Sequence, residues 1–282
     1  MKKRKIRNSV KVLLVIVIII FLANFITSNG YLIYRGIDKI LNNNNTINEN
    51  ISTTEDTKDI LKEMSKSDSR INKILEIYDK YPEVLLEMLS RNSDMTDYVV
   101  NYLDKKGTVT TDNIGKVKKG EFPLLLQYDT RWGYGKYGDS VIAISGCGPT
   151  VISMVIAGLT GNNSITPYDV AKYSEENGYY DSLAGTSWSL FTEGVLEYGI
   201  KGTTISLSKS IMISELENGH PIVCSMRKGD FTTTGHIILI TGVKDGKFII
   251  NDSNSKERSQ KLWDYETLES QIRNLWSFEK IS

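Results

Sequence analysis

The sequence predicts an α+β domain in its C-terminal half, with helices first and an antiparallel sheet after them. Three observations carry this. An unbroken apolar segment, Val151-Ile-Ser-Met-Val-Ile-Ala157, follows Gly146-Cys147-Gly148-Pro149-Thr150, the pattern of a buried helix with proline in its first turn. Three more helical segments with caps or Gly stops follow, the last ending at Asn218. Beyond it the apolar runs shorten and are broken by turn residues, Asp245-Gly246 above all, which is hairpin chemistry. Helices succeeded by antiparallel strands make an α+β layout.

The chain begins with Lys2, Lys3, Arg4, Lys5 and Arg7, followed by the apolar run Val12 to Ala23 and then Asn24, Phe25 and Ile26. Basic residues ahead of an apolar core are the signature of an export signal. The run is short for a spanning helix, which needs about 20 residues. Ser28-Asn29-Gly30 offers small residues for cleavage before Tyr31, and no Ala-x-Ala site is present. Residues 1–30 are therefore an export signal or a membrane anchor. The expected location is the cell membrane, single-pass with the bulk of the chain outside, or the exterior if the signal is cleaved.

Residues 31–68 are rich in Asn, Thr, Asp, Glu and Lys, with four asparagines at 42–45, and suit a polar stalk. Residues 69–104 form a helical lead-in. Ile71, Ile74, Leu75 and Tyr78 keep the helical period, as do Val84, Leu85, Met88 and Leu89, with Pro82 between the two sets. Residues 105–121 read as a linker. The main domain spans 122–282, and a domain of that size buries roughly 68–70% of its unfolded surface.

Within it, Leu124–Gln127 reads as a short strand or an extended entry and Tyr128–Ser140 as a loop rich in glycine and aromatic residues, suited equally to a substrate wall or to a packed loop. Helices are expected at Pro149–Leu159, from Thr166-Pro167-Tyr168-Asp169 onward, at Ser187–Tyr198, Ser210–Asn218 and finally Tyr265–Leu275. Strands are expected at Pro221–Met226, His236–Val243 and Lys247–Asn251.

The 34 basic and 34 acidic side chains cancel. That argues against a nucleic-acid partner, which calls for a basic face. The two histidines, His220 and His236, make no ligand-spaced pair, so no metal and no cofactor is expected. Gly133, Gly135 and Gly138 match a phosphate-loop spacing but lack the strand–helix context.

Cys147 falls at a helix start, where unpaired N–H groups and the macrodipole favour an anion. A thiolate is such an anion, so the thiol is expected to titrate below its free value of about 8.5. Cys224, in Ile222-Val-Cys-Ser-Met226, suits a buried core position. A disulfide between the two is the competing reading. His236 opens an apolar strand after Gly235, well placed to face a cleft as a base, whereas His220 sits between a helix stop and a strand as a capping or surface residue. The hairpin returns through Asn251-Asp252, bringing one of these beside His236. Asp252 is the better orienter, and Asn254 a more distant alternative.

Gln127, Gly146 to Thr150, Gly235-His236 and Asn251 to Asn254 together resemble the papain-like cysteine peptidase superfamily. Within it the pattern is similar to bacteriocin-leader (double-glycine) peptidase-like domains of bacterial surface proteins. Gln127-Tyr-Asp-Thr-Arg-Trp132, Gly185-Thr-Ser-Trp188, Gly229-Asp-Phe-Thr232, Trp263 and Trp276 add to the match. The resemblance implies a papain-like fold, with a nucleophile helix packed on the sheet. It also implies a Cys147–His236–Asp252 triad and Gln127 assisting the oxyanion hole. The gap between Gln127 and Cys147 is wide, so the intervening loop must fold back. The transporter and nucleotide-binding domains of bacteriocin processors are not in the sequence, and their leader specificity is not carried over.

The expected function is an exported cysteine hydrolase acting on a peptide, isopeptide or cell-wall-like amide through a thioester. A transpeptidase or γ-glutamyl transferase would share the thioester. A non-catalytic surface-anchored binding module is the reading from another class.

Overall fold

The computed structural model describes residues 56–182 and 185–281. The expected export signal or anchor, and most of the expected stalk, lie outside these. Among the described residues no helix is long and apolar enough to cross a membrane. The chain divides into two units, residues 1–60 and 61–282. Of the first, 56–60 are described and helical; everything that follows concerns the second.

The lead-in folds as four short helices: Arg70–Glu76 (α1), Glu83–Arg91 (α2), Thr96–Val100 (α3) and Tyr102–Lys105 (α4). Pro82 caps α2 from an extended conformation, as a residue without an N–H can. Leu85, Leu86 and Leu89 of α2 join Ile71, Ile74, Tyr98 and Val99 in a small core. That core is completed by Tyr128, Tyr134, Val141 and Ala143 of the main domain. The Tyr98 and Tyr134 rings stack at 4.3 Å between centroids. Tyr98 Oη donates to the Gly133 carbonyl and Tyr134 Oη to the Tyr98 carbonyl, at 2.9 and 3.0 Å.

Lys136–Tyr137 (β1) and Ser140–Val141 (β2) pair as a small hairpin, and Ile142–Ser145 (α5) leads into Cys147–Thr160 (α6). Every residue of α6 from Gly148 to Leu159 is buried. Pro167–Glu176 (α7) starts with the capping box its sequence announces, Thr166 and Asp169 bonding each other's backbone N–H. Tyr180–Asp181 (β3) pairs with Gly185–Thr186 (β4).

Ile200–Thr204 (β5), Lys209–Glu217 (α8), Ile222–Met226 (β6), His236–Lys244 (β7) and Lys247–Asn251 (β8) follow. Lys256–Ser259 (α9), Leu262–Trp263 (β9), Tyr265–Gln271 (α10) and Ile272–Lys280 (β10) complete the chain. The sheet is antiparallel throughout, in the order β5-β10-β6-β7-β8-β9.

Helix α6 packs on one face of this sheet, with Val151, Met154 and Val155 in one core with Val223, Leu239, Trp276 and Phe278. Met212 of α8 and Tyr265 and Leu268 of α10 cover the other face, against Cys224, Ile238, Ile240 and Ile250. Burial on both faces explains why β6 and the start of β7 read as continuous apolar runs. Asp245 and Gly246 both take positive φ, 51° and 74°, and close the β7–β8 hairpin as Asp-Gly turns do. The ladder is not continuous: Ile240 faces Ile250 but Gly242 faces Ile249, so Thr241 is an extra residue, a bulge.

Two expectations are corrected. Ser187–Tyr198 is two 3₁₀ turns, Trp188–Phe191 and Gly194–Tyr198, separated by Thr192 and Glu193, whose φ of −116° and −100° depart from the helical value. The final helix stops at Gln271 and the chain continues as β10, since Trp276 and Phe278 fill the slot between β5 and β6, and tertiary pairing overrides local helical spacing. Leu124–Gln127 joins no ladder, so of its two readings the extended entry stands. In the loop after it, Trp132, Tyr134 and Tyr137 are fully buried, so the loop is packed core rather than a substrate wall.

Candidate active site

Cys147 is the first residue of α6, with Gly146 as its N-cap and no capping side chain. Its own N–H and those of the first turn are the orphan donors of a helix start. Gly148 has to be glycine: a Cβ there would stand 2.8 Å from Thr186 Oγ1. Both cysteines are free thiols, which removes the disulfide reading. Cys147 is partly exposed; Cys224 is buried in β6, and burial pushes its thiol pKa up.

His236 begins β7 opposite Met226 and is buried. Its Nε2 lies 2.8 Å from Oδ1 of Asp252, just past the end of β8. The bond to Asp252 leaves Nδ1 as the ring atom for the Cys147 side chain, which interacts with the same imidazole. Burial alone would strip the proton from His236. The Asp252 carboxylate and Cys147 outweigh that and push its pKa up to about 10. Asp252 is fully buried, which favours its neutral form, yet His236 and Arg258 hold it below the usual carboxylate range.

Arg258 is the residue that sequence reading misses. Its Nε donates to Asp252 Oδ2 at 2.5 Å, so the carboxylate sits between a histidine and a guanidinium. The Asn254 N–H donates to Oδ1 at 2.8 Å as well. Arg258 is delivered by α9, whose Ser255 N-cap accepts from the Arg258 N–H. That Ser-Lys-Glu-Arg start is the signal that could have found it.

Gln127 is buried, and the loop after it does fold back. Its Nε2 donates to the Ala143 carbonyl at 2.6 Å, and its Oε1 accepts from Ser253 Oγ at 2.9 Å. One amide hydrogen is thereby used and the other remains. Asn251 turns elsewhere, its amide donating to the Phe122 carbonyl. Asn254 lines the cleft and touches Asp252 through its backbone only. His220 is remote, its Nδ1 paired with Glu215 at 2.9 Å.

Gln127, Cys147 and His236 line one cleft of about 220 Å³. Its rim is formed by the loop from Gly229 to Gly235 and, unexpectedly, by α2 of the lead-in. A thiol at a helix start, a histidine facing it, a carboxylate behind the histidine and a fixed amide beside them form an arrangement that can run acyl transfer.

No curated protein matches the chain. Two solved structures resemble it at low identity. The peptidase domain of Streptococcus ComA, a bi-functional ABC transporter involved in a quorum sensing pathway, is 20% identical with a TM-score of 0.41. That match covers 57% of this chain and 100% of that one. A protein from Bacillus anthracis described as a C39-like peptidase is 17% identical with a TM-score of 0.34, covering 60% of this chain and 99% of that one. Residues 119–281, more than half of the chain, match the Peptidase_C39 like family. The chain belongs to that family of C39-like peptidases, within the papain-like cysteine peptidase superfamily.

Proposed function

We propose that the protein is an exported cysteine hydrolase that cleaves peptide or isopeptide bonds through a thioester. The observation that carries this is the placing of His236 between Cys147 and the buried Asp252, in one cleft with Gln127. The Cys147 thiolate attacks the amide carbonyl. The Cys147 N–H and the remaining amide hydrogen of Gln127 receive the oxyanion. His236, protonated, gives its proton to the leaving amine, and the neutral ring then takes a proton from water as it attacks the thioester. Asp252 fixes the ring so that Nδ1 faces the thiol. Export is supported by the basic cluster ahead of Val12–Ala23.

The test is alkylation by iodoacetamide across pH, read by mass spectrometry at each cysteine. Selective labelling of Cys147, slowed in His236→Ala, is the expected result; equal and slow labelling of Cys147 and Cys224 overturns the reading. Turnover of a peptide library with and without an added amine then separates hydrolysis from transfer.

A further inference from the structure

Helix α2 has two faces. Leu85, Leu86 and Leu89 are fully buried in the lead-in core. Val84, Glu87, Met88 and Arg91 recur at helical spacing on the other face, and all four line the cleft that holds Cys147 and His236. The C-terminal end of α2 is fastened to both chain segments that carry the site. Arg91 Nη1 donates to Thr233 Oγ1 at 3.1 Å, on the loop leading to His236. The amide of Asn92, just past α2, donates to the Asn254 carbonyl at 2.8 Å, in the turn after Asp252. This wall is therefore held in place by the same loops that position the histidine and the carboxylate. It also lies ahead of residue 119, where the family match begins, and so stands outside the matched domain.

The charges on the wall are accounted for: Glu87 and Arg91 pair with each other at 3.5 Å. Val84 is not: it is 45% exposed, an apolar side chain left open within the cleft. Phe231 and Ile144 line the same cleft. An apolar side chain brought against Val84 and Met88 would shed water from both surfaces, whereas a charged one would lose its own hydration against them, and Glu87 and Arg91 beside them already pair with each other. We infer that α2 is a specificity wall of the substrate cleft and selects peptides with an apolar side chain near the scissile bond. This rests on the reading of Cys147 as nucleophile.

The test uses the full chain and a panel of tripeptidyl chloromethyl ketones that alkylate Cys147 without turnover. Each carries Gly, Leu, Phe, Glu or Lys at one position and is otherwise constant. In the native protein one position should favour Leu and Phe over Glu and Lys by about tenfold or more, the discrimination an apolar subsite affords. Val84→Glu should erase that preference and gain for the Lys probe; Val84→Lys should gain for the Glu probe. Val84 is exposed, so both variants should keep the native circular dichroism. Iodoacetamide, which carries no side chain, should still label Cys147 in preference to Cys224 in all three proteins. The same side-chain profile in all three overturns the wall while leaving the thiol reading intact. Failure of iodoacetamide to select Cys147 in the native protein overturns the proposed function, and this inference with it.

Discussion

Gln127 and Ser253 are joined twice. The Gln127 N–H donates to the Ser253 carbonyl at 2.8 Å, and Ser253 Oγ donates to the Gln127 side-chain oxygen at 2.9 Å. The second bond fixes which end of the amide is oxygen and which is nitrogen, and so sends the N–H groups toward Ala143 and the cleft. Replacing Gln127 by Ala should therefore lower kcat by about 10²–10³-fold, the usual cost of one oxyanion donor. KM should change little, and iodoacetamide should still label Cys147. Ser253→Ala should give a smaller loss in the same parameter, because the amide is then free to turn. Steady-state kinetics on any cleaved peptide checks both.

Arg258→Met removes one of two cations from a carboxylate that is fully buried. Loss of a partner from a buried pair is costly, and with Arg258 itself partly exposed a loss of about 2 kcal/mol is expected at pH 7. The folded-state pKa of Asp252 is lowered, so its contribution is present above the unfolded value near 4 and is lost as pH falls through the folded value. The gap between variant and native protein should accordingly shrink in acid. Urea denaturation at pH 7 and below pH 4 measures it.

His236 has its folded pKa raised to about 10, above an unfolded value near 6.5. Its charge therefore contributes stability that is full below about 6.5 and is lost as pH rises toward 10. In the proposed mechanism the same proton is given to the leaving amine, so kcat/KM should fall on an alkaline limb close to pH 10. Asp252→Asn removes the carboxylate and should move that limb to lower pH. A pH–rate profile of the two proteins is the measurement.

Leu89→Ala opens a cavity in the core shared by α2, Tyr98 and Tyr134. A fully buried leucine of this kind costs about 2–5 kcal/mol when truncated. Because α2 also lines the cleft, KM for peptides should rise along with the loss of stability, while the rate of Cys147 alkylation by iodoacetamide stays near native. Denaturation and alkylation run on the same sample separate the two effects.

The helix start at Cys147, the capping box at Thr166 and the Asp-Gly hairpin were legible because each is written in adjacent residues. So was the pairing of His236 with the end of β8, since one tight turn links the two strands. What was not legible depends on distant partners. Strands β5 and β10 exist through pairing with each other and with β6. Arg258 matters only because α9 folds back over Asp252. The role of α2 at the cleft required knowing that Tyr98 stacks on Tyr134, 36 residues apart by the hydrogen bond that accompanies the stack. The Tyr128–Ser140 loop carries its aromatics inward, and composition alone does not say which way a ring points.

The bulge at Thr241 gives the site a parity. Lys244 and Lys247 are partners across the turn. An even number of steps separates Lys244 from His236, and an odd number separates Lys247 from Asp252. In an unbroken ladder those two side chains would leave opposite faces of the sheet. The one residue absorbed at Thr241 brings them to the same face, where they bond at 2.8 Å. The hairpin thus has a reading frame. Its turn, outside the frame, is free to lengthen, whereas a single residue gained or lost within β8 would set His236 and Asp252 back to back.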